Sequence, residues 1–183
     1  MIEQIGGSAQ VFQADVSLAS EAERLAGEAQ AALGPIDVLV NNAGIAPPSD
    51  PFGLDATGWS KVMTANLDST FFVTRAVIPG MRDRRHGRLV FMSSRAAHTG
   101  GVVSSAYAAS KAGLEGMMHY YATHLLRHGI TSNAIAPAYI ESEMVADHND
   151  FGAPANAPLG RKGRPEELAS VLKLPVTAEF VTG

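Results

Sequence analysis

The chain has 183 residues, 46% of them hydrophobic and 17% charged, enough apolar material to bury the core of a single domain. A formal net charge of −4 leaves no excess of cations to neutralise a phosphate backbone, so nucleic acid is not an expected partner. There is no cysteine, hence no disulfide and no thiolate metal site. The first ten residues carry Glu3 and lack the basic start and apolar run of a signal peptide, and no segment is apolar enough to span a bilayer. The composition predicts one soluble, cytoplasmic domain spanning 1–183, without a membrane partner.

In chain order, Ala9–Ala14 reads as a short strand, followed by Asp15-Val16-Ser17. Ser20 and Glu23 match a capping box, and Leu18, Ala22, Leu25, Ala26, Ala29 and Leu33 carry the three-and-four spacing of a buried helix face that Gly34-Pro35 ends. A strand over Ile36–Val40 leads into Asn41-Asn42-Ala43-Gly44 and a proline-containing loop. Trp59–Met81 reads as one long helix closed by His86-Gly87. Arg88–Met92 is a continuous apolar strand with Ser93 and Ser94 at its end. After a Gly100-Gly101 turn come a helix over Ala106–Arg127 and a strand over Ile130–Ala136, stopped by Pro137. Residues 139–163 form a polar excursion, and a last helix starts at Pro165. Apolar strands alternating with helices predict an α/β fold, a parallel sheet wound on both faces. Ligands bind such sheets beyond the carboxyl ends of the strands, where Asp15, Asn42, Ser94 and Pro137 fall.

Tyr107 and Lys111 stand four apart on a predicted helix, so their side chains share a face. An ammonium beside a phenol favours the phenolate and brings tyrosine closer to work as a proton-transfer group. Alone, the pair is also what chance puts on a solvated helix face. With Ser94 thirteen residues upstream, Asn41-Asn42-Ala43-Gly44, Asn66 within Thr-Ala-Asn-Leu, and the runs SAYAASKAG (105–113), NAIAPAYIESEM (133–144) and PLGRKGRPEELA (158–169), the chain resembles the short-chain dehydrogenase/reductase family. The similarity is to its shorter form, which includes 3-oxoacyl-acyl-carrier-protein reductases.

The resemblance implies a Rossmann-type sheet and NAD or NADP as cofactor. It implies Tyr107 as general acid/base, Ser94 on the substrate oxygen, Lys111 beside the phenol and the nicotinamide ribose, and Asn66 holding a water that links Lys111 to solvent. Ser93 is second choice to Ser94. Asp15 and Val16 are expected beside the adenine, Asn42, Ala43 and Gly44 along the ribose, and Pro137 and Ile140 near the nicotinamide. Ala138 stands where the family usually has glycine. Residues 139–163 are the expected substrate lid, a small carbonyl or alcohol the expected substrate, and a homo-oligomer paired through the two long helices the expected assembly.

Simpler roles compete for several of these residues. Asp15 also suits a helix cap and Asn42 a turn. His124 and His128, four apart, lack a third ligand at a supporting spacing, so no metal is expected. The cations from Arg82 to Arg88 suit a helix C-terminus, and Phe71-Phe72 and Met117-Met118 suit core or subunit contacts. The family pattern opens with a strand, a TGxxxGxG turn, a helix and a second strand, and closes with a further strand. These 183 residues contain no such turn. A sheet lacking its first two strands and its last is therefore expected, with an unpaired edge and marginal stability.

Overall fold

The computed structural model describes residues 6–142, 160–178 and 181–183. Among them, three strands form one parallel sheet in the order β1 (Val38–Asn41), β2 (Gly87–Met92), β3 (Ile130–Ile135). The helices are α1 (Ala19–Leu33), α2 (Ala56–Met63), α3 (Ser69–Arg84), α4 (Ala96–Thr99), α5 (Ser105–Leu125) and α6 (Pro165–Thr177). A five-residue π-turn, Thr64–Asp68, joins α2 to α3, and a 3₁₀ turn, Leu126–His128, ends α5.

All six residues of β2 are buried, which explains its unbroken apolar sequence. Successive side chains point to opposite faces. Leu89 and Phe91 pack with Ala26 of α1, Val77 and Met81 of α3, and Leu114 and Met118 of α5. On that same face Asn41 donates to Thr74 Oγ1 at 3.0 Å and Ser132 donates to Met118 O at 3.0 Å, so the polar positions are tied to the helices that cover them. With α5 already over β2 and β3, α6, which packs on the same two strands, takes the opposite face, where Arg88, Val90 and Met92 point. The sheet is thereby wound on both sides, as the apolar rhythm predicts.

Residues 181–183 run beside the outer edge of β3. Gly183 N–H donates to Ser132 O at 2.9 Å, Ser132 N–H to Thr182 Oγ1 at 3.1 Å, and Asn133 Nδ2 to Val181 O at 2.9 Å. At the other edge, β1 has no strand partner among the described residues. The expected strand over Ala9–Ala14 does not form. Exposure alternates only from Val11, 95% exposed, to Ala14, and these residues pair with nothing in a ladder. Half-buried alternation is a strand's pattern; without a neighbouring edge the backbone has no partner to make it one.

Helix limits shift for local reasons. Asp15 takes both the N–H (3.0 Å) and the hydroxyl (2.6 Å) of Ser17 on Oδ1, and its carbonyl takes Leu18 N–H, so α1 is under way before Ser20 can cap it. Asp55, accepting from Gly58 N–H at 2.7 Å, starts α2 three residues ahead of Trp59. The long helix expected from Trp59 runs from Ala56 to Arg84 with the π-turn inside it. There Ser69 N–H reaches Thr64 O, while the hydroxyls of Ser69 and Thr70 cover the carbonyls of Ala65 and Asn66. Two expected pairs divide between surface and core: Phe71 is 43% exposed and Met118 6%.

Gly129 turns the chain into β3 with φ +73°, and a Cβ there would collide with the Arg85 carbonyl. Gly129→Ala should therefore lower stability by about 2–3 kcal/mol, combining left-handed backbone strain with the clash. Urea unfolding should show a lower midpoint at unchanged slope, and an unshifted midpoint would contradict this account of the turn.

Candidate active site

Three elements converge at the carboxyl end of β2. The strand ends at Met92, so Ser93 and Ser94 follow on opposite sides of an extended step. Ser93 is buried, and its hydroxyl donates to Glu115 Oε1 at 2.6 Å and lies 3.3 Å from Lys111 O. Ser94 points the other way. Its side chain lies beside the Tyr107 phenol, and its hydroxyl accepts from Ala96 N–H at 3.1 Å. Of the two serines considered, Ser94 is the one at the phenol.

Tyr107 lies in the first turn of α5, whose cap is Ser104, accepting from Tyr107 N–H at 3.2 Å. Lys111, one turn on, is 6% exposed. Its Nζ donates to Met92 O at 2.8 Å and sits 5.6 Å from the centre of the Tyr107 ring. The electrostatics differ from the expected phenolate. Burial pushes the Tyr107 phenol above its ordinary value, and the Ser94 hydrogen bond offsets only part of that. The expected lowering by Lys111 is absent, since a lysine that gives up its proton near 8 is neutral by the pH at which the raised phenol ionises. Burial also brings Lys111 itself down to about 8.

Asn66 is fully buried in the π-turn. Its Oδ1 accepts from Ile45 N–H at 2.7 Å, and its Nδ2 donates to Ile45 O and Ser110 Oγ, both at 3.0 Å. Both amide protons are thus used on protein, fastening the loop after β1 to α5. Gly44 approaches so closely that a Cβ there would lie 3.0 Å from Asn66 Oδ1 and 3.8 Å from Lys111 Nζ. Oδ1 accepts one bond here and keeps a second lone pair.

A cleft of about 870 Å³ opens beside this loop, lined in part by Asp15, Val16, Ala43, Gly44, Thr57 and Lys61. Four of the residues expected along a dinucleotide, Asp15, Val16, Ala43 and Gly44, thus line the same cleft. The residues present fit an adenosine-bearing cofactor. Asn42 is exposed and outside the lining; buried Asn41, bonded to Thr74, is the asparagine that matters to the fold. Pro137 and Ile140 lie elsewhere, on the Ser94 side. Pro137 O accepts from Arg95 N–H at 2.9 Å, and Ile140 bridges to Gly163. Ala138 does not adopt the positive φ that a glycine would permit. Of the expected lid, residues 143–159 lie outside the described residues.

Sequence reasoning missed Glu115, His98 and Ser110. Ser110 donates to Tyr107 O at 2.8 Å while accepting from Asn66, and its place between Tyr107 and Lys111 was the available signal. Glu115 stands four residues beyond Lys111, on the same helix face, accepts from Ser93, and lies 3.1 Å from His98 Nε2. His124 and His128 are engaged locally, by Tyr120 O and Arg127 Nε.

A dinucleotide-type sheet carrying a serine, a tyrosine and a lysine at one strand end has the framework of an oxidoreductase working on a carbonyl or an alcohol. The chain belongs to the short-chain dehydrogenase family, whose model matches residues 1–152. It is 36% identical to nodulation protein G of Azospirillum brasilense over 99% of this chain and 76% of that protein. It is 31% identical to the 3-oxoacyl-acyl-carrier-protein reductase FabG of Escherichia coli over the same shares, and 38% identical to the acetoacetyl-CoA reductase of Shinella zoogloeoides over 94% and 74%. A crystal structure of a provisionally assigned gluconate dehydrogenase from Agrobacterium tumefaciens superposes with a TM-score of 0.91 at 26% identity, covering 99% of this chain and 74% of that one. The chain thus spans about three-quarters of the length of these proteins.

Lys111 supplies a test of the site's electrostatics. Its folded value is about 8 against the ordinary 10.5, so between those pH values the unfolded chain holds a proton that the folded chain has released. Its contribution to stability is therefore greatest above pH 10.5 and is lost as pH falls through 8. Measured by urea unfolding, the wild type should gain on the order of 1 kcal/mol or more over Lys111→Met between pH 8 and pH 10. A pH-independent difference would contradict the buried ammonium.

Proposed function

We propose that this chain interconverts a ketone or 3-oxoacyl thioester and the corresponding secondary alcohol, with NAD or NADP as hydride carrier and Tyr107 as the general acid/base. The observation that carries the proposal is the grouping of Ser94 and the buried Lys111 about the Tyr107 phenol, with Lys111 Nζ 5.6 Å from the ring centre. Two of the relatives are named for reducing a 3-oxoacyl or acetoacetyl thioester, which supports that substrate class.

The cofactor supplies the hydride for reduction and accepts it in the reverse direction. In reduction, the carbonyl carbon gains hydride while its oxygen takes a proton from Tyr107 Oη. Raised by burial, the phenol is fully protonated at neutral pH, as a general acid must be. Ser94 Oγ donates to the same substrate oxygen, polarising the carbonyl and fixing its distance from the phenol. Lys111, balanced near pH 8, keeps a positive charge close to the oxygen on which charge collects when the proton leaves Tyr107. An ammonium has three N–H donors, of which the Met92 carbonyl takes one, so the others suit a ribose hydroxyl. Asp15, Val16, Ala43 and Gly44 would hold the adenosine end, and Pro137 and Ile140 the nicotinamide end. The exposed Phe71 on α3 and Tyr120 on α5 support a homo-oligomer paired through those helices.

A second reading is a chain that retains the fold but turns over nothing and acts by pairing with other subunits. It is favoured by one observation: Phe71 on α3 and Tyr120 on α5 are exposed, on the two helices that would serve such pairing. Fluorescence titration with NADH and with NADPH separates the readings. The proposal expects saturable binding, and Tyr107→Phe should lower turnover of an acetoacetyl thioester by about 10²–10⁴-fold with cofactor affinity nearly unchanged. Absence of binding by both cofactors, or full turnover in Tyr107→Phe, would overturn it.

A further inference from the structure

Beyond the serine, tyrosine and lysine, a second polar cluster sits behind the strand end. Glu115, with its side chain 17% exposed, accepts from Ser93 Oγ at 2.6 Å and lies 3.1 Å from His98 Nε2, an ion pair when the imidazole is protonated. Its position is specific. Glu115 belongs to α5, eight residues beyond Tyr107 and on the same face, since the intervening Lys111 is four from each. Ser93 is the residue immediately before Ser94, and His98 belongs to α4, whose first turn is anchored by Ser94 Oγ accepting from Ala96 N–H. The chain segments on both sides of Ser94 are therefore tied through one carboxylate to the helix that carries the phenol.

We propose that Glu115 is a positioning residue that holds Ser94 within hydrogen-bonding reach of Tyr107 by clamping Ser93 and α4 onto α5. Lys111 Nζ ties Met92 to α5, and one residue further on the Ser93–Glu115 bond is a second side-chain tie between the strand end and that helix. Ser93 also approaches the Lys111 carbonyl, but at 3.3 Å, a much longer contact than the 2.6 Å to Glu115. Hydrogen bonds to a carboxylate are about twice as strong as those between neutral groups, and a short, largely buried one is the strongest restraint in the cluster. The 62%-exposed His98 contributes less, because water competes for it.

The inference rests on the roles given to Ser94 and Tyr107 in the proposed function, so its test does not use turnover. The ultraviolet titration of Tyr107 is read as the difference between each variant and the same variant carrying Tyr107→Phe, using the whole chain without cofactor. The charged and polar side chains that meet the phenol are Lys111 and Ser94, and both are retained in the Glu115 variants. Loss of the Ser94 hydrogen bond raises the phenol's titration midpoint, because that bond lowers it. Glu115→Ala should raise the midpoint by roughly half a pH unit or more, and by about as much as Ser94→Ala does. In a Ser94→Ala background, Glu115→Ala should add nothing, since one route carries both effects. Glu115→Gln, which keeps an acceptor for Ser93, should restore most of the wild-type midpoint.

Should Glu115→Ala fail to fold, Ser93→Ala removes the same contact from the strand side and should give the same upward shift. A wild-type midpoint in Glu115→Ala or Ser93→Ala, or additive shifts in the double variant, would overturn the inference. A lowered melting temperature with an unmoved midpoint would do so as well, by reducing Glu115 to a structural role. Failure of the proposed function would appear separately, as absent cofactor binding or turnover with these titration shifts intact.

Discussion

The hydrogen bond from Lys111 Nζ to the Met92 carbonyl, 2.8 Å long and almost wholly out of water, fixes the geometry on which the site depends. It joins the middle strand to the first two turns of α5, and it satisfies part of an ammonium whose burial is unfavourable enough to bring it down to about 8. A buried charge with one good partner gives little net stability, but it penalises any arrangement that leaves it unpaired. β2 must therefore end where it does, with Ser94 turned to the phenol and Ser93 turned to Glu115.

The rest of the fold supplies the rigidity that this contact requires. Leu89 and Phe91 lock β2 under α1, α3 and α5, while Val90 and Met92 are buried on the opposite face. Asn66 then fastens the loop after β1 to α5 through Ile45 and Ser110. The three amide contacts are available because the π-turn rotates this part of the long helix relative to a regular α-helix. Removing the side chain would leave buried donors and acceptors on both elements unpaired. The loop carrying Ala43 and Gly44 is thereby set against the same helix that carries Tyr107 and Lys111, so the cleft and the proton-transfer centre are positioned together.

Much of this was legible in the sequence, and the exceptions have identifiable causes. The unbroken apolar run at Arg88–Met92, the prolines and glycines between elements, and the spacing of Ser94, Tyr107 and Lys111 placed the parallel sheet and its functional end, because these signals are local. The π-turn was not legible, since no local pattern marks it and Asn66 within it bonds to Ile45 twenty-one residues away. Ser20 does not cap α1, because Asp15 and Ser17 form a turn ahead of it and the helix is under way at Ala19. Ala9–Ala14 has strand-like residues, yet forming a ladder is a property of its neighbours. The direction of the Tyr107 shift depended on the burial of both Tyr107 and Lys111, which a four-residue spacing does not specify. Glu115 and His98 carried no motif and became visible only when α4 and α5 were seen against the same strand end.

The central claim, that this strand end transfers hydride and proton to a carbonyl, is tested most directly by isotope transfer. The chain would be incubated with an acetoacetyl thioester and with NADH or NADPH deuterated at C4 of the nicotinamide, each face labelled in turn, and the product examined by mass spectrometry. The account predicts a 3-hydroxyacyl product carrying one deuterium on the carbinol carbon from one labelled face only, and no such product from Tyr107→Phe. A labelled alcohol formed equally by Tyr107→Phe, or no labelled alcohol with either cofactor, would contradict it.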